Sequence, residues 1–296
     1  MTVKPDNWRA GTLDALAPQW LSLDAPHSDV ALSSRFRVMR NIRGYRFPHH
    51  ESPERLIEVC YRVIAAAPGF EIHRKLTRRE RDALTGCRLI SPEFAAHLPG
   101  RAVLLDPPHE CSVMINEEDH MRLQGVTAGW SIKPARRSAE AALEILARGL
   151  EFARDDRFGF LAASPFNCGE GRRLSAMFHL IGLASTKRLP SVLQVFPARG
   201  LAVRGLFGES SRAIGAFVQV STSGGSQQEF IGACDYLIGE ERAARREFSG
   251  EVVLSKTLRA IEFAIPARRL SLAQSSTAPR DQASTDSGVI FCSTLS

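Results

Sequence analysis

Strand-like runs in this chain often follow one another with no helix between them, and that order limits the fold more than any single motif. Apolar and β-branched residues predict strands over 29–38, 101–105, 111–116, 157–163, 200–207 and 216–221. A helix is expected over 53–67, with Ser52 as N-cap, Pro53 at the first helical position, and Leu56, Cys60, Val63 and Ala67 on one face. Thr77 and Glu80 form a capping box for a short helix that Gly86 closes; Ser226 and Glu229 form a second, opening a long helix towards Phe248. Residues 134–154 read as an amphipathic helix, with Leu143, Leu146, Leu150 and Ala153 at helical spacing, and 174–184 read as helical too. Strict strand–helix alternation would point to a parallel sheet. This mixture predicts an α+β fold with a largely antiparallel sheet flanked by helices.

The chain has 296 residues, enough for one large domain or two smaller ones, and its hydrophobic content of 44% supplies a core. Residues 1–28 read as an irregular lead-in and 29–250 as the main domain. A short helical segment is expected over 251–273, and 274–296, rich in Ser, Thr, Ala and Asp, reads as a disordered tail. The start "MTVKPDNWRAG" has no leader pattern and charges interrupt every apolar run, so the expected compartment is the cytoplasm, with no membrane partner. Six scattered cysteines without a CxxC pair predict reduced, mostly buried thiols. Of 38 basic residues only five are lysine. Arginine suits planar, bidentate recognition of phosphate or carboxylate, although a GC-rich genome would also enrich it.

The arginines gather in "ALSSRFRVMRNIRGY", at Arg35, Arg37, Arg40, Arg43 and just beyond at Arg46. On a strand, Arg35 and Arg37 project to one side and Phe36 to the other. Two such guanidiniums repel one another unless an anion lies between them, and a polyphosphate fits their forks. A solvated basic face or a nucleic-acid patch would account for this segment taken alone. In "SVMINEEDHMR" a strand runs into Glu117, Glu118, Asp119 and His120, with Arg122 four residues after Glu118. Adjacent carboxylates cannot all face one site; one could hold and deprotonate a cationic nucleophile, while an acidic turn and a metal site are the alternatives. In "SPFNCGEGRRLSAMFH" a Gly-containing loop is read as leading from a strand into a helix, placing backbone N–H groups and Arg173 where an anion could dock. No Gly-Lys-Ser/Thr follows, so this is not a Walker sequence. In "VRGLFGES", Gly205 and Gly208 lie between Arg204 and Glu209, as in a closing lid or a hairpin connection.

Taken in order, "SSRFRVMRN", "INEEDHMRLQ", "SPFNCGEGRRLSAMFHL" and "VRGLFGES" resemble the signatures of the guanidino phosphotransferase (phosphagen kinase) superfamily over about residues 29–248. Within it, "RLISPE", "NEEDHMRLQ", "RLSAMFHL" and "RGLFGESSRAIGAFVQVS" are most similar to the bacterial protein-arginine kinases. The resemblance implies a guanidino-kinase catalytic domain over 29–250, an antiparallel sheet flanked by helices. It implies that Arg35, Arg37, Arg122, Arg173 and Arg204, with Ser33 and Ser175, bind ATP. Glu118 would orient the acceptor guanidinium and take its proton; Glu209 would be the second guanidinium-binding carboxylate, with Ser164 and Asn167 beside the acceptor. The implied cofactors are ATP and Mg²⁺, with no protein ligand assigned to the metal. The implied partners are proteins that present arginine, together with an activator or protein-quality-control partner.

Physical chemistry agrees with that division of labour. Phosphoryl transfer asks for alignment and for stabilised charge, which a ring of arginines and Mg²⁺ supplies. A guanidinium has a pKa above ~12, so the attacking nitrogen must shed a proton, and a carboxylate positioned as base is worth ~10²–10⁴-fold. Only 32 residues precede Ser33, where small-guanidine kinases carry a helical domain that covers the substrate; an open acceptor site favours an arginine side chain on a protein. Four places depart from the family pattern: Ser164 stands where cysteine is usual, Glu170 where threonine is, Arg88 where histidine is, and "TSGGSQQEF" replaces a longer loop. The segment 251–273 would be a remnant of the family's phosphoarginine-binding helical domain. These departures leave open a catalytically weak or inactive relative that binds nucleotide or arginine-containing proteins as a regulator. A nucleic-acid-binding domain is disfavoured, since no interleaved aromatics or recognition module accompany the arginines.

Overall fold

A computed structural model describes residues 22, 24–94, 99–205 and 214–259. In chain order the first half comprises β1 (Ala31–Arg40), α1 (Pro53–Ala65), β2 (Glu71–His73), α2 (Arg78–Gly86), β3 (Ala102–Leu105), β4 (Cys111–Ile115), β5 (Met121–Ala128) and α3 (Ile132–Ala147). Then come β6 (Arg154–Asp155), β7 (Gly159–Phe160), β8 (Arg172–His179), α4 (Ile181–Ser185), α5 (Leu189–Leu193), β9 (Leu201–Gly205), β10 (Phe217–Thr222) and α6 (Gln227–Arg245). Eight strands form one sheet in the order β2-β3-β4-β5-β1-β8-β10-β9, and every neighbouring pair is antiparallel. The first strand is thus central, flanked by β5 and β8.

One face of this sheet is apolar. Phe36 and Val38 of β1, Leu123 of β5, Leu174 and Ala176 of β8 and Val218 and Val220 of β10 point into a core that α1, α3 and α6 close. Small residues on α3 let it lie close: Ala135, Ala139 and Ala142 are buried, and a Cβ at Gly125 would come within 1.9 Å of the Ala135 carbonyl oxygen. The helix starts follow the sequence. Ser52 accepts from the Arg55 N–H, and both capping boxes form, Thr77 with Glu80 and Ser226 with Glu229. A second, smaller apolar cluster joins Leu84 of α2 and Leu89, Ile90 and Phe94 after it to Val103, Leu105 and Met114, covering one end of the opposite face.

Several sequence expectations need correction. Residues 174–184 are not a helix: β8 occupies 172–179, and only the short α4 follows. "RLSAMFHL" carries a period of two that its small apolar residues blur, and pairing on both edges, with β1 and β10, decides in favour of the strand. The glycine loop before it consequently leads into a strand and offers no helix N-terminus to an anion. The strand expected over 157–163 reduces to the two-residue β7, paired with β6. The helix α3 stops at Ala147 instead of 154. β5, a segment for which the sequence suggested no element, is a full strand. Residues 250–259 are helical, while the expected tail over 274–296 lies outside the described residues. Among the described residues Cys60, Cys87, Cys111 and Cys234 are buried and, like the half-buried Cys168, free.

Candidate active site

The other face of the same strands is polar, and its register brings the arginines together. Arg37 lies opposite Gln124 of β5 and Arg173 of β8, and Arg35 opposite Ser175. Ser175 in turn faces Ser221 of β10, and Gln219 faces Arg204 of β9. Residues directly opposite share a face, so Ser33, Arg35, Arg37, Arg122, Gln124, Arg173, Ser175, Arg204, Gln219 and Ser221 form one surface. Neutral groups accept several of its guanidinium bonds. Arg35 Nε donates to Ser175 Oγ at 3.1 Å and its Nη2 to Gln219 Oε1 at 3.2 Å, and Arg173 Nη2 donates to Ser221 Oγ at 3.1 Å. Arg37 is 5% exposed, and its Nε has no hydrogen-bond partner among the described residues.

Such crowding has an electrostatic cost. Lost hydration holds the pKa of Arg35 well below its ordinary value, and the charges of Arg88, Arg122, Arg173 and Arg204 push it further. Arg37 is depressed in the same way by burial and then by Arg35, Arg122 and Arg173, with Glu117 opposing. A cluster of this kind is completed by an anion with many oxygens.

The turn between β4 and β5 sorts five polar residues into different tasks. Asn116 takes a left-handed φ of 56°, which asparagine tolerates, and its Nδ2 donates to the carbonyls of Leu56 and Gly100 at 2.8 Å each. Glu117 receives Arg122 Nη1 on both oxygens at 2.6 Å and Ser91 Oγ at 2.7 Å. Burial works to raise the Glu117 pKa, but the Arg122 charge and the Ser91 bond outweigh it and hold the group ionised. Asp119, 1% exposed, accepts from Asn41 Nδ2 at 2.6 Å and the Ala163 N–H at 2.7 Å. The His120 N–H donates to Asn41 Oδ1 at 2.9 Å, and its Nδ1 accepts from the Ile42 N–H at 3.0 Å. Glu118 is left exposed at the tip, where its carboxylate accepts no hydrogen bond from the described residues. Partial burial, then the charges of Asp119 and Glu117, raise its pKa against the pull of Arg122 and Arg173, giving it the stronger proton affinity a base requires.

Asp119 and Asn41 also fix the segment that carries Ser164. Asn41 Nδ2 reaches the Leu161 carbonyl at 3.1 Å, and the Ala163 bond to Asp119 sets the next residue, Ser164, at the start of a 3₁₀ turn over Pro165–Asn167. Ser164 is half-buried and Asn167 buried beside the Glu118 turn. Arg40 supports the same loop from below. Its guanidinium stacks 3.7 Å from the Phe160 ring centre, and its Nη1 donates to the carbonyls of Met39 at 2.7 Å and Glu170 at 3.0 Å. A Cβ at Gly171 would lie 2.4 Å from that nitrogen, so the glycine is required. The Glu170 carboxylate pairs with Arg172 at 3.5 Å. The Arg43 side chain makes an exposed pair with Glu151 at 3.9 Å.

The structure therefore gathers Ser33, Arg35, Arg37, Arg122, Arg173, Ser175 and Arg204 on one face, with Glu118, Ser164 and Asn167 at its edge. Glu209 lies outside the described residues. Sequence reasoning missed Gln219 and Ser221, although their alternation in "FVQVST" signalled a polar strand face; it missed Asn41 and left Asp119 without a role in the acidic run, because no local pattern reveals their link. Among the described residues no group of three or more His, Cys, Asp or Glu side chains could hold a metal ion. No helix among them is long and apolar enough to cross a membrane.

An arginine-lined sheet face ending in an exposed carboxylate suits an anion with many oxygens lying beside a cationic group. Residues 69–231 match the family described as ATP:guanido phosphotransferase, C-terminal catalytic domain. A protein-arginine kinase of Pelotomaculum thermopropionicum is 34% identical over 281 residues, 88% of this chain and 79% of that protein. One from Geobacillus thermodenitrificans is 36% identical over 244 residues, 77% and 67% respectively. The chain belongs to the ATP:guanido phosphotransferase family. The fold agrees: the duplicated taurocyamine kinase of Schistosoma mansoni with bound transition-state-analogue components superposes with a TM-score of 0.66 at 21% identity, covering 82% of this chain and 37% of that one. Lombricine kinase gives a TM-score of 0.63 at 22% identity, covering 81% and 72%. The chain thus spans little more than a third of the duplicated kinase.

Proposed function

We propose that this chain transfers the γ-phosphoryl group of ATP to the guanidinium of arginine residues in proteins. The observation that carries this reading is the junction of two unlike surfaces: Arg35, Arg37, Arg122, Arg173 and Arg204 on the sheet face, and Glu118 at its rim. ATP phosphates on the arginine face relieve the repulsion that depresses Arg35 and Arg37, and the orphaned Nε of Arg37 gains an acceptor. When bound with the nucleotide, Mg²⁺ would supply further charge neutralisation, and no protein side chain is assigned to hold it.

At the rim, Glu118 holds the acceptor guanidinium and takes the proton that its nitrogen loses as the P–N bond forms and the bond to the ADP oxygen breaks. Glu117 stays bound to Arg122 and does not compete for that proton. Glu209 would be the second carboxylate to bind the guanidinium, and Ser164 and Asn167 stand beside the acceptor. The named activity of the two relatives favours a protein acceptor.

The test incubates the purified chain with ATP, Mg²⁺ and an unfolded basic protein and seeks acid-labile phosphoarginine by mass spectrometry. Phosphoarginine is expected from the wild type and a loss of two or more orders of magnitude from Glu118→Gln. No product from the wild type, or equal product from the variant, would overturn the reading.

A further inference from the structure

The loop that carries Ser164 is closed at its base by two backbone bonds, Phe160 N–H to Gly169 O at 2.8 Å and Gly169 N–H to Phe160 O at 3.1 Å. Between these points the backbone is tied down. The Ala163 N–H donates to Asp119 at 2.7 Å, the Asn167 N–H to Ser164 O at 2.9 Å and the Cys168 N–H to Pro165 O at 3.2 Å, while the Ala162 N–H meets Cys168 Sγ at 3.4 Å. Phe166 is the exception in this inward-facing loop. It is 79% exposed, more than any other large apolar residue among the described residues, and none of these stacks a ring or a guanidinium on it. Phe158, 58% exposed, lies outside the closing pair and has the Arg157 guanidinium 5.3 Å from its ring centre.

A single apolar side chain in water is ordinary on a protein surface, but this one is held by a fixed backbone. Pro165 sets the main chain before it, and only the two torsions of the ring remain free. Such a ring loses little freedom when something covers it, so most of the gain from leaving water is kept.

Its place indicates what would cover it. Ala163, bonded to the Asp119 carboxylate, is three residues away, at most ~11 Å of chain, and Asp119 adjoins Glu118. The ring therefore stands on the acceptor side of the rim, away from the arginine face. An arginine whose guanidinium meets Glu118 keeps its own backbone outside that rim, and the residues beside it in the polypeptide run across the turn. We infer that Phe166 packs against an apolar side chain next to the target arginine, so that the chain selects arginines set among apolar residues. Those are the arginines that an unfolded segment exposes and a folded one covers. This rests on the protein-acceptor reading above.

The test measures phosphoarginine formation by the full chain, with ATP and Mg²⁺, on two unstructured peptides, one with its single arginine between leucines and one with it between serines. Wild type should prefer the leucine peptide roughly tenfold in kcat/KM, through KM and not kcat. Phe166→Ser should lose most of that preference by raising KM for the leucine peptide, Phe166→Leu should keep it, and Phe158→Ala should leave it unchanged. Melting temperatures of the variants should match wild type, because both rings are exposed. A wild-type preference under twofold would overturn the inference. So would an equal loss on both peptides in Phe166→Ser, the mark of a merely structural turn, or an equal effect of Phe158→Ala, the mark of general adhesion. A wild-type mass that rises with concentration in sedimentation, and that Phe166→Ser returns to the monomer, would give the ring to a second copy of this chain and overturn it too. Phosphorylation of neither peptide would overturn the acceptor reading itself; phosphorylation of both at equal rates removes only the role of Phe166.

Discussion

Phe36 and Arg37 are neighbours on the same central strand, 1% and 5% exposed, and they answer to opposite demands. Phe36 looks into the apolar layer under α3, where each buried ring adds to stability through area removed from water. Arg37 looks onto the arginine face, where burial works against it and each added positive charge makes it worse. The apolar face carries the fold with enough margin to hold a like-charged surface on its reverse. Binding an anion is how that surface becomes favourable, so the site is least comfortable when empty.

Changes confined to one face should leave the other's property intact. The largest effect is expected at the rim: Glu118→Gln should lower phosphoarginine formation by ~10²–10⁴-fold with an unchanged melting temperature. On the apolar face, Phe36→Ala should cost about 3–5 kcal/mol in urea unfolding, mainly as cavity and lost burial. Its neighbour should behave in reverse. Arg37→Met should leave unfolding stability equal or higher, since a buried cation goes, while ATP affinity in calorimetry falls tenfold or more. If Arg37→Met destabilised the chain as much as Phe36→Ala does, the contrast between the faces would be wrong.

Acid tests the seam between them. Burial holds His120 at about 4, and burial with the Arg245 charge holds His179 at about 4, so both are neutral in the folded chain. Above ~6.5 neither state binds the proton; as the pH falls from there to about 4 only the unfolded chain takes it up, and stability drops. Each histidine should contribute on the order of 3 kcal/mol to that loss, and His120→Asn should show a shallower fall in the urea midpoint between pH 6.5 and 4. The smallest effect belongs to the exposed Arg43–Glu151 pair: Arg43→Ala should stay within about 0.5 kcal/mol and leave activity unchanged.

The period of two in "SSRFRVMR" already separated the two faces, and the capping boxes already fixed where α2 and α6 begin. What stayed hidden depended on pairing partners. "RLSAMFHL" is helix or strand by its own composition, and only its place between β1 and β10 settles it. The four residues after Asn116 could be ranked only once Asn41, 78 positions before Asp119, was seen to claim that carboxylate.

The place of β1 in the sheet also bears on how the chain is made. Among the described strands it is the first to be synthesised, yet its partners β5 and β8 begin only at Met121 and Arg172. Until both have emerged, the segment bearing Arg35 and Arg37 has unpaired edges on either side, and a growing chain must pass Arg172 before the row can form. Nucleotide therefore cannot act as an early template for folding; it can only reward a sheet that is already complete.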